Sequence, residues 1–354
     1  MSQRWPGGLI KPTPITPTGP YQDGSASGVW TLDQMQYWLK QGLWPIAGNT
    51  LPPICLTAGV GAVASPISTN VIETFNISTA ANATDFGDLT QKTQYGGGCS
   101  SSTRGIFAGG YTGSFAVTNV ISYVTIQTTG NAADFGDLLQ ATTQANGLSN
   151  QTRGVFNGGY NDSTLINVIQ YITIATTGNA TDFGDLAAIT VDVATAASPT
   201  RGIIAGGSET NGYVSVNRIQ YITIATAGNA TGFGDLGRPT SQFAGASSST
   251  RAVFGGGQIN NVAGQTNIIE YVTIATTGNS TDFGDLAIEI RYLSATAGGT
   301  RAAFMGGLGS GGTKYNVIQY ITVATTGNAT DFGDLSANSD GLFVGAIGAA
   351  HGGI

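Results

Sequence analysis

Histidine, cysteine and charge are all scarce in this 354-residue chain. His351 is the one histidine, and Cys55 and Cys99 are the two cysteines. A single imidazole cannot supply the histidine ligands of a copper oxidase site, and no Ser-His-Asp or Cys-His pair can be assembled around it. Two cysteines make neither a disulfide framework nor a zinc set. Thirteen Lys and Arg against twenty Asp and Glu leave a net charge of −7. Nucleic acid and acidic membrane surfaces both call for clustered Lys and Arg, so neither is an expected partner. No run of 18 apolar residues exists, which argues against membrane insertion. The segment Met1–Pro20 is polar and proline-studded, without the apolar stretch of a signal peptide.

What is abundant is glycine, 54 residues, in a chain that is 41% hydrophobic. Phe-Gly-Asp-Leu occurs six times, with its Phe at 86, 135, 183, 233, 283 and 332, so the spacing is 48–50 residues. Ahead of each copy stands Asn-(Val/Ile/Arg)-Ile-x-(Tyr/Thr), beginning at Asn70, Asn119, Asn167, Asn217, Asn267 and Asn316. Thr-Arg-(Gly/Ala)-…-Gly-Gly begins at Thr103, Thr152, Thr200, Thr250 and Thr300. A period near 50 fits a four-stranded propeller blade and is too long for leucine-rich or ankyrin units.

Each unit reads as four short strands. In the fourth these are Val191–Ala197, Arg201–Gly207, Asn217–Ala225 and Thr231–Leu236. The third strand is apolar on both faces, as expected of a sheet sandwiched between neighbours. The first strand is rich in Gly, Ala, Ser and Thr, which suits strands crowding an axis. No such strand precedes the first unit near Ile54, and Gly341–Ile347 is left over after the last. The leftover strand is therefore expected to complete the first blade and remove two exposed edges. The fold class is all-β: a six-bladed propeller over residues 54–354, closed by the C-terminal strand.

The order of Val253-Phe254-Gly255-Gly256, Ile269-Glu270-Tyr271-Val272 and Phe283-Gly284-Asp285-Leu286 resembles the kelch repeat, with Phe where that family usually has Trp. The Asp-Phe-Gly-Asp-Leu version is similar to kelch-like β-propeller virion proteins of tailed phages, marine and cyanobacterial ones in particular. Gly28-Val29-Trp30-Thr31-Leu32-Asp33-Gln34 and Gly42-Leu43-Trp44-Pro45 also resemble segments of phage virion proteins. The resemblance implies a virion location after synthesis in the host cytoplasm.

Residues 1–53 form a distinct N-terminal arm, holding all four tryptophans and eight of the eleven prolines. Thr31 and Gln34 read as a capping box, Trp30 and Met35 as a hydrophobic staple, and Gly42 as a stop, which predicts one short helix over about 32–41. Trp5, Trp30, Met35, Trp38 and Trp44 are candidate docking residues toward other virion proteins, since aromatic residues anchor interfaces. Folding back to plug the arm's own propeller is the alternative.

The remaining motifs read as structural. Asp-Phe-Gly in five copies is a turn device rather than a kinase motif. Asp-x-x-Asp lacks the dense oxygen ligands of a calcium loop, and Gly232 interrupts the series, so no metal is assigned. Asp88, Asp137, Asp185, Asp235, Asp285 and Asp334 are expected to cap their own turns or to accept from Arg104, Arg153, Arg201, Arg251 and Arg301 across blades. No catalytic residue and no cofactor is predicted.

The connections between second and third strands vary most and are expected on one face. Tyr111, Phe115, Tyr160, Tyr213 and Tyr315 there are candidates for stacking on host glycan; drift after duplication is the bland alternative. The reading is a structural or host-attachment protein on a phage particle: capsid surface, neck or tail fibre. A lectin-like propeller without an assembly role and an intracellular kelch-type interaction scaffold compete with it.

Overall fold

The computed structural model describes residues 53–59, 69–209, 214–259, 264–339 and 345–354, together with Asp33, Gln34 and Tyr37. The chain divides into two units, Met1–Pro52 and Pro53–Ile354. In the first unit Asp33, Gln34 and Tyr37 are helical. Trp5, Trp30, Met35, Trp38 and Trp44 lie outside the described residues, as does Tyr213 in the second unit. The second unit is all-β, and its described residues contain no helix beyond a 3-10 turn at Ser310–Gly312. Among the described residues no helix is long and apolar enough to cross a membrane.

Antiparallel sheets follow one another along the chain, an arrangement consistent with a propeller. The first joins Gly345–Gly348, Ile54–Ala58, Thr69–Asn76 and Thr84–Gln94, in that order, with Tyr111–Thr112 beyond. The second consists of Gly97–Ser100, Arg104–Ala108, Val120–Thr125 and Ala133–Asp137. The third runs Asn146–Ser149, Arg153–Asn157, Val168–Thr173 and Thr181–Asp185. The fourth is Ala194–Ala197, Arg201–Ala205, Arg218–Thr223 and Thr231–Asp235. The fifth and sixth start at Ala244–Ser247 and Ser294–Gly298 and end on Thr281–Asp285 and Thr330–Ser339. The leftover C-terminal segment pairs with the first strand: Cys55 faces Gly348 and Ala58 faces Gly345.

Neighbouring sheets share their cores. Phe107, Phe156, Phe254 and Phe304 are fully buried, and each packs among side chains of the preceding sheet. Phe254, for example, sits with Ile203, Ile219 and Phe233. The sixth sheet packs in the same way on the first, where Met305 and Ile318 meet Cys55, Phe75 and Ile77. Second strands are buried on both faces for this reason, which is why they read as continuous apolar runs.

Polar staples repeat alongside. The Asp185 N–H donates to Asn229 Oδ1 of the next sheet at 3.0 Å, and its carbonyl accepts from Ala230 N–H at 2.8 Å. Asp88, Asp137, Asp235, Asp285 and Asp334 make the same side-chain contact with Asn131, Asn179, Asn279, Asn328 and Asn82. These aspartates thus act through their backbone, and the partner is the turn asparagine of the following unit. A second staple runs through third-strand amides: Gln170 Oε1 accepts from Leu139 N–H and Gln220 Oε1 from Ala187 N–H, both at 2.8 Å. Glu73 occupies the equivalent place between the first and sixth sheets, 1% exposed and bonded to Ser336.

The arginines also depart from expectation. Arg104, Arg153, Arg201 and Arg251 donate to carbonyls of the next sheet, those of Ile174, Ile224, Ile274 and Val323, at 2.8–3.0 Å. Arg301 reaches the carbonyls of Ile77 and Ser78. Each guanidinium lies over a third-strand tyrosine of its own sheet, Arg201 4.4 Å from the Tyr221 centroid. The one ion pair among the described residues is Arg218–Glu209. Pairing across blades with carboxylates is therefore corrected to carbonyl donation plus cation–π stacking. The antiparallel register explains it, since Arg201 faces Thr223, two residues from Tyr221 and on the same side of the sheet.

The first strands come into backbone contact, which is what their small residues permit. A Cβ on Gly147 would overlap the Gly98 carbonyl of the neighbouring strand, whereas one on Gly228 would meet nothing within 4 Å. Gly147→Ala is expected to cost about 3 kcal/mol or more, because two backbones must separate, and Gly228→Ala less than about 1 kcal/mol. Chemical denaturation of both variants checks this.

Candidate functional site

The first strands of the six sheets described above wall one cavity of about 120 Å³. Its lining is mostly backbone and small side chains, among them Gly98, Gly147, Thr195, Gly245, Ala295 and Ala346. Its two ends differ.

One end is covered by Ala349–Ile354, which continues from the strand paired with Ile54–Ala58. His351 Nε2 lies 3.1 Å from the Ser100 carbonyl and 3.2 Å from Ser149 Oγ, while Nδ1 accepts from Gly353 N–H at 3.0 Å. These partners fix the tautomer with the proton on Nε2. Gly352 N–H donates to the Ser247 carbonyl, and the Ala350 carbonyl accepts from Gly299 N–H, both at 2.9 Å. All these contacts fall where first strands finish. Burial lowers the His351 pKa to about 4, against a smaller opposing effect of the Ser100 carbonyl. The imidazole is therefore a neutral structural latch at ordinary pH.

At the other end the chain enters five of the first strands through a residue with left-handed φ: Tyr95, Gln144, Asp192, Gln242 and Tyr292, between 54° and 58°. Asp192 splits what reads in sequence as one strand, Val191–Ala197, into Thr190–Val191 and Ala194–Ala197. The five residues form a circuit. Gln144 N–H donates to the Tyr95 carbonyl at 2.6 Å, and Gln144 Nε2 to Asp192 Oδ1 at 3.0 Å. Gln242 N–H donates to the Asp192 carbonyl at 3.2 Å, and its Nε2 lies 2.6 Å from the Tyr292 hydroxyl. The rings of Tyr292 and Tyr95 meet edge to face, 6.0 Å between centroids. Arg291 NH1 adds contacts to Gln258 Oε1 at 2.8 Å and Gln242 Oε1 at 3.4 Å.

Asp192 is 9% exposed, and burial raises its pKa to about 6, offset in part by hydrogen bonds from Gln242 and Gln144. Its Oδ2 has no hydrogen-bond partner, nor have Gln94 Oε1 and Arg291 Nε on the residues just before Tyr95 and Tyr292. Four first-strand residues separate the Asp192 end from the His351 end, about 13 Å of extended chain. The buried carboxylate and the imidazole consequently form no dyad. Among the described residues no cluster of three His, Cys, Asp or Glu side chains could hold a metal ion.

The variable connections open at this same end. Tyr111 pairs with Gln94, Tyr160 with Thr143, Ser208 with Val191, Gln258 with Ser241 and Leu308 with Arg291. Each partner immediately precedes a residue of the circuit. Phe115 is presented to solvent, 56% exposed with φ of 60°. Tyr111 and Tyr160 are half-buried, and Tyr315 packs back on the core between the fifth and sixth sheets. Sequence reasoning missed the circuit. The available signal was a position nine residues after the Phe of the first five Phe-Gly-Asp-Leu copies that reads Tyr, Gln, Asp, Gln, Tyr, large and polar beside strands of small residues. No protein-family model matches the chain, and no curated protein is significantly similar to it.

Proposed function

We propose that residues 54–354 are a six-bladed kelch-like β-propeller closed by Gly345–Gly348, carried on a tailed-phage particle as a rigid display platform, with residues 1–53 as its tether to other virion proteins. The shared core between the sixth and first sheets and the pairing of Gly345–Gly348 with Ile54–Ala58 support the closed form. The observation that carries the display function is a division of labour within the repeat. Staples between sheets recur at corresponding positions, whereas the connections that differ in sequence open together at one end of the first strands. A stiff body with a single variable face suits presentation to a host surface.

A lectin-like propeller with no assembly role is the second reading, favoured by exposed Phe115 beside half-buried Tyr111 on that face. Particle pull-downs with the full chain and with residues 54–354 separate the two. Capture by the full chain alone is the expected result. Equal capture by both, or by neither, removes the tether.

A further inference from the structure

We propose that the strap formed by residues 349–354 is a lock on the first strands: it has to leave before the sheets can part, so it sets how fast the protein unfolds. This rests on the closed-propeller reading and not on the virion assignment. Pairing of Gly345–Gly348 completes one sheet, whereas the six residues after that strand hold all of them.

The strap reaches every sheet in turn. Ala349 N–H donates to the Ile54 carbonyl of the first, and the Ala350 carbonyl accepts from Gly299 N–H at the end of the sixth, both at 2.9 Å. His351 Nε2 meets the Ser100 carbonyl of the second and Ser149 Oγ of the third, 251 and 202 residues earlier in the chain. Gly352 N–H donates to the Ser247 carbonyl of the fifth. For the fourth, a Cβ on Gly352 would stand 2.6 Å from the Ala197 carbonyl oxygen.

Residue choice on the first strands leaves room for it. Ser149 Oγ donates to the Ser100 carbonyl at 2.7 Å, Ser247 Oγ to the Ala197 carbonyl at 2.8 Å and Ser100 Oγ to the Gly348 carbonyl at 3.0 Å. Each serine thereby ties its strand to the neighbouring one. At the matching positions of the fourth and sixth sheets stand Ala197 and Ala297, which have no hydroxyl to offer the Ser149 and Ser247 carbonyls. Those two carbonyls are where the strap arrives. Gly352 N–H takes the one on Ser247, and a Cβ on Gly353 would overlap the one on Ser149. His351-Gly352-Gly353 is thus shaped to the gaps that the alanines leave.

None of these bonds between strap and sheets is local. They form only once the first strands have converged, after the chain has met the cost of closing long loops. Because one short segment holds strands on different sheets, its contacts break before those sheets separate. Interactions that form after the folding barrier act on the unfolding rate and leave refolding almost unchanged. The result is kinetic stability, which resists loss of the fold whatever the equilibrium.

Guanidinium unfolding, refolding and native-state hydrogen exchange of the full chain test this in two variants. Gly353→Ala unseats the strap, and Ala297→Ser offers the Ser247 carbonyl a hydroxyl in place of Gly352 N–H. Gly353→Ala is expected to speed unfolding about tenfold or more while changing the refolding rate less than about twofold. Ala297→Ser should speed exchange at the Gly352 amide. In the unaltered chain the Gly352 and Gly299 amides should exchange no more slowly than those of the first strands, since the lock opens first. An unchanged unfolding rate in Gly353→Ala, or refolding slowed as much as unfolding is sped, would overturn the proposal. So would first-strand amides that exchange while Gly352 stays protected. A Gly353→Ala chain that fails to fold would overturn it as well, because a lock is not needed to assemble what it locks. In each of these cases, protected peptides covering residues 54–58 and 345–348 would leave the closed propeller standing. Free exchange of those peptides in the unaltered chain would remove the closed form and the lock together.

Discussion

Removing Gly345–Ile354 is expected to lower the melting temperature by about 10 °C or more and to drive the chain into oligomers. The segment supplies four strand partners to Cys55–Ala58, buries Ile347 to 3% exposure and places His351 against Ser100 and Ser149. Losing Ile347 alone should cost about 2–5 kcal/mol by the usual range for deleting a buried aliphatic side chain. Stripping the partner strand adds an edge of unpaired N–H and C=O groups on Ile54–Ala58, next to buried Cys55 and Leu56. An apolar open edge of that kind recruits other chains. A synthetic peptide covering residues 340–354, added to the truncated chain, should restore the monomer and most of the stability. Light scattering and thermal melts read both effects. A truncated chain that stays monomeric and melts where the intact one does would mean that Gly345–Gly348 closes nothing.

The legible part of this fold is what repeats. Phe-Gly-Asp-Leu and the Asn-Ile-x-Tyr strands recur because the same core contact is made at each sheet junction, so period alone located the sheets. Which partner a repeated polar residue takes was not legible. The arginines stand at a fixed place, and a carboxylate is their commonest partner, but here the nearest acceptor is a carbonyl of the next sheet and the nearest face a tyrosine. The aspartates misled in the same way, since their side chains drew attention while their backbone N–H groups met the turn asparagines. Gln170 and Gln220 did carry a signal, as single amides within apolar strands, and they proved to be staples. The circuit at Tyr95, Gln144, Asp192, Gln242 and Tyr292 depends on side chains 48–50 residues apart converging on an axis. That convergence is a property of how the sheets are arranged, and no local pattern encodes it.

Asp192 and His351 should also make the acid response of this protein nearly flat where each alone would make it steep. The His351 pKa falls from 6.5 to about 4 on folding, so between those values the unfolded chain binds more protons and stability drops as pH falls. The Asp192 pKa rises from 3.8 to about 6, so over nearly the same window the folded chain binds more protons and stability grows as pH falls. Each shift corresponds to about 3 kcal/mol, of opposite sign. In the wild type the two largely offset each other between pH 6 and pH 4. Asp192→Asn leaves only the histidine, and stability measured by urea unfolding should then decline by about 3 kcal/mol from pH 6.5 to pH 4. His351→Gln leaves only the aspartate, and stability should rise by a similar amount from pH 6 to pH 4. Glu270, whose pKa burial also raises, is common to all three proteins and cancels from their differences. If the three pH profiles run parallel, neither group is buried as described, and the latch at one end of the cavity and the carboxylate at the other lose their physical basis together.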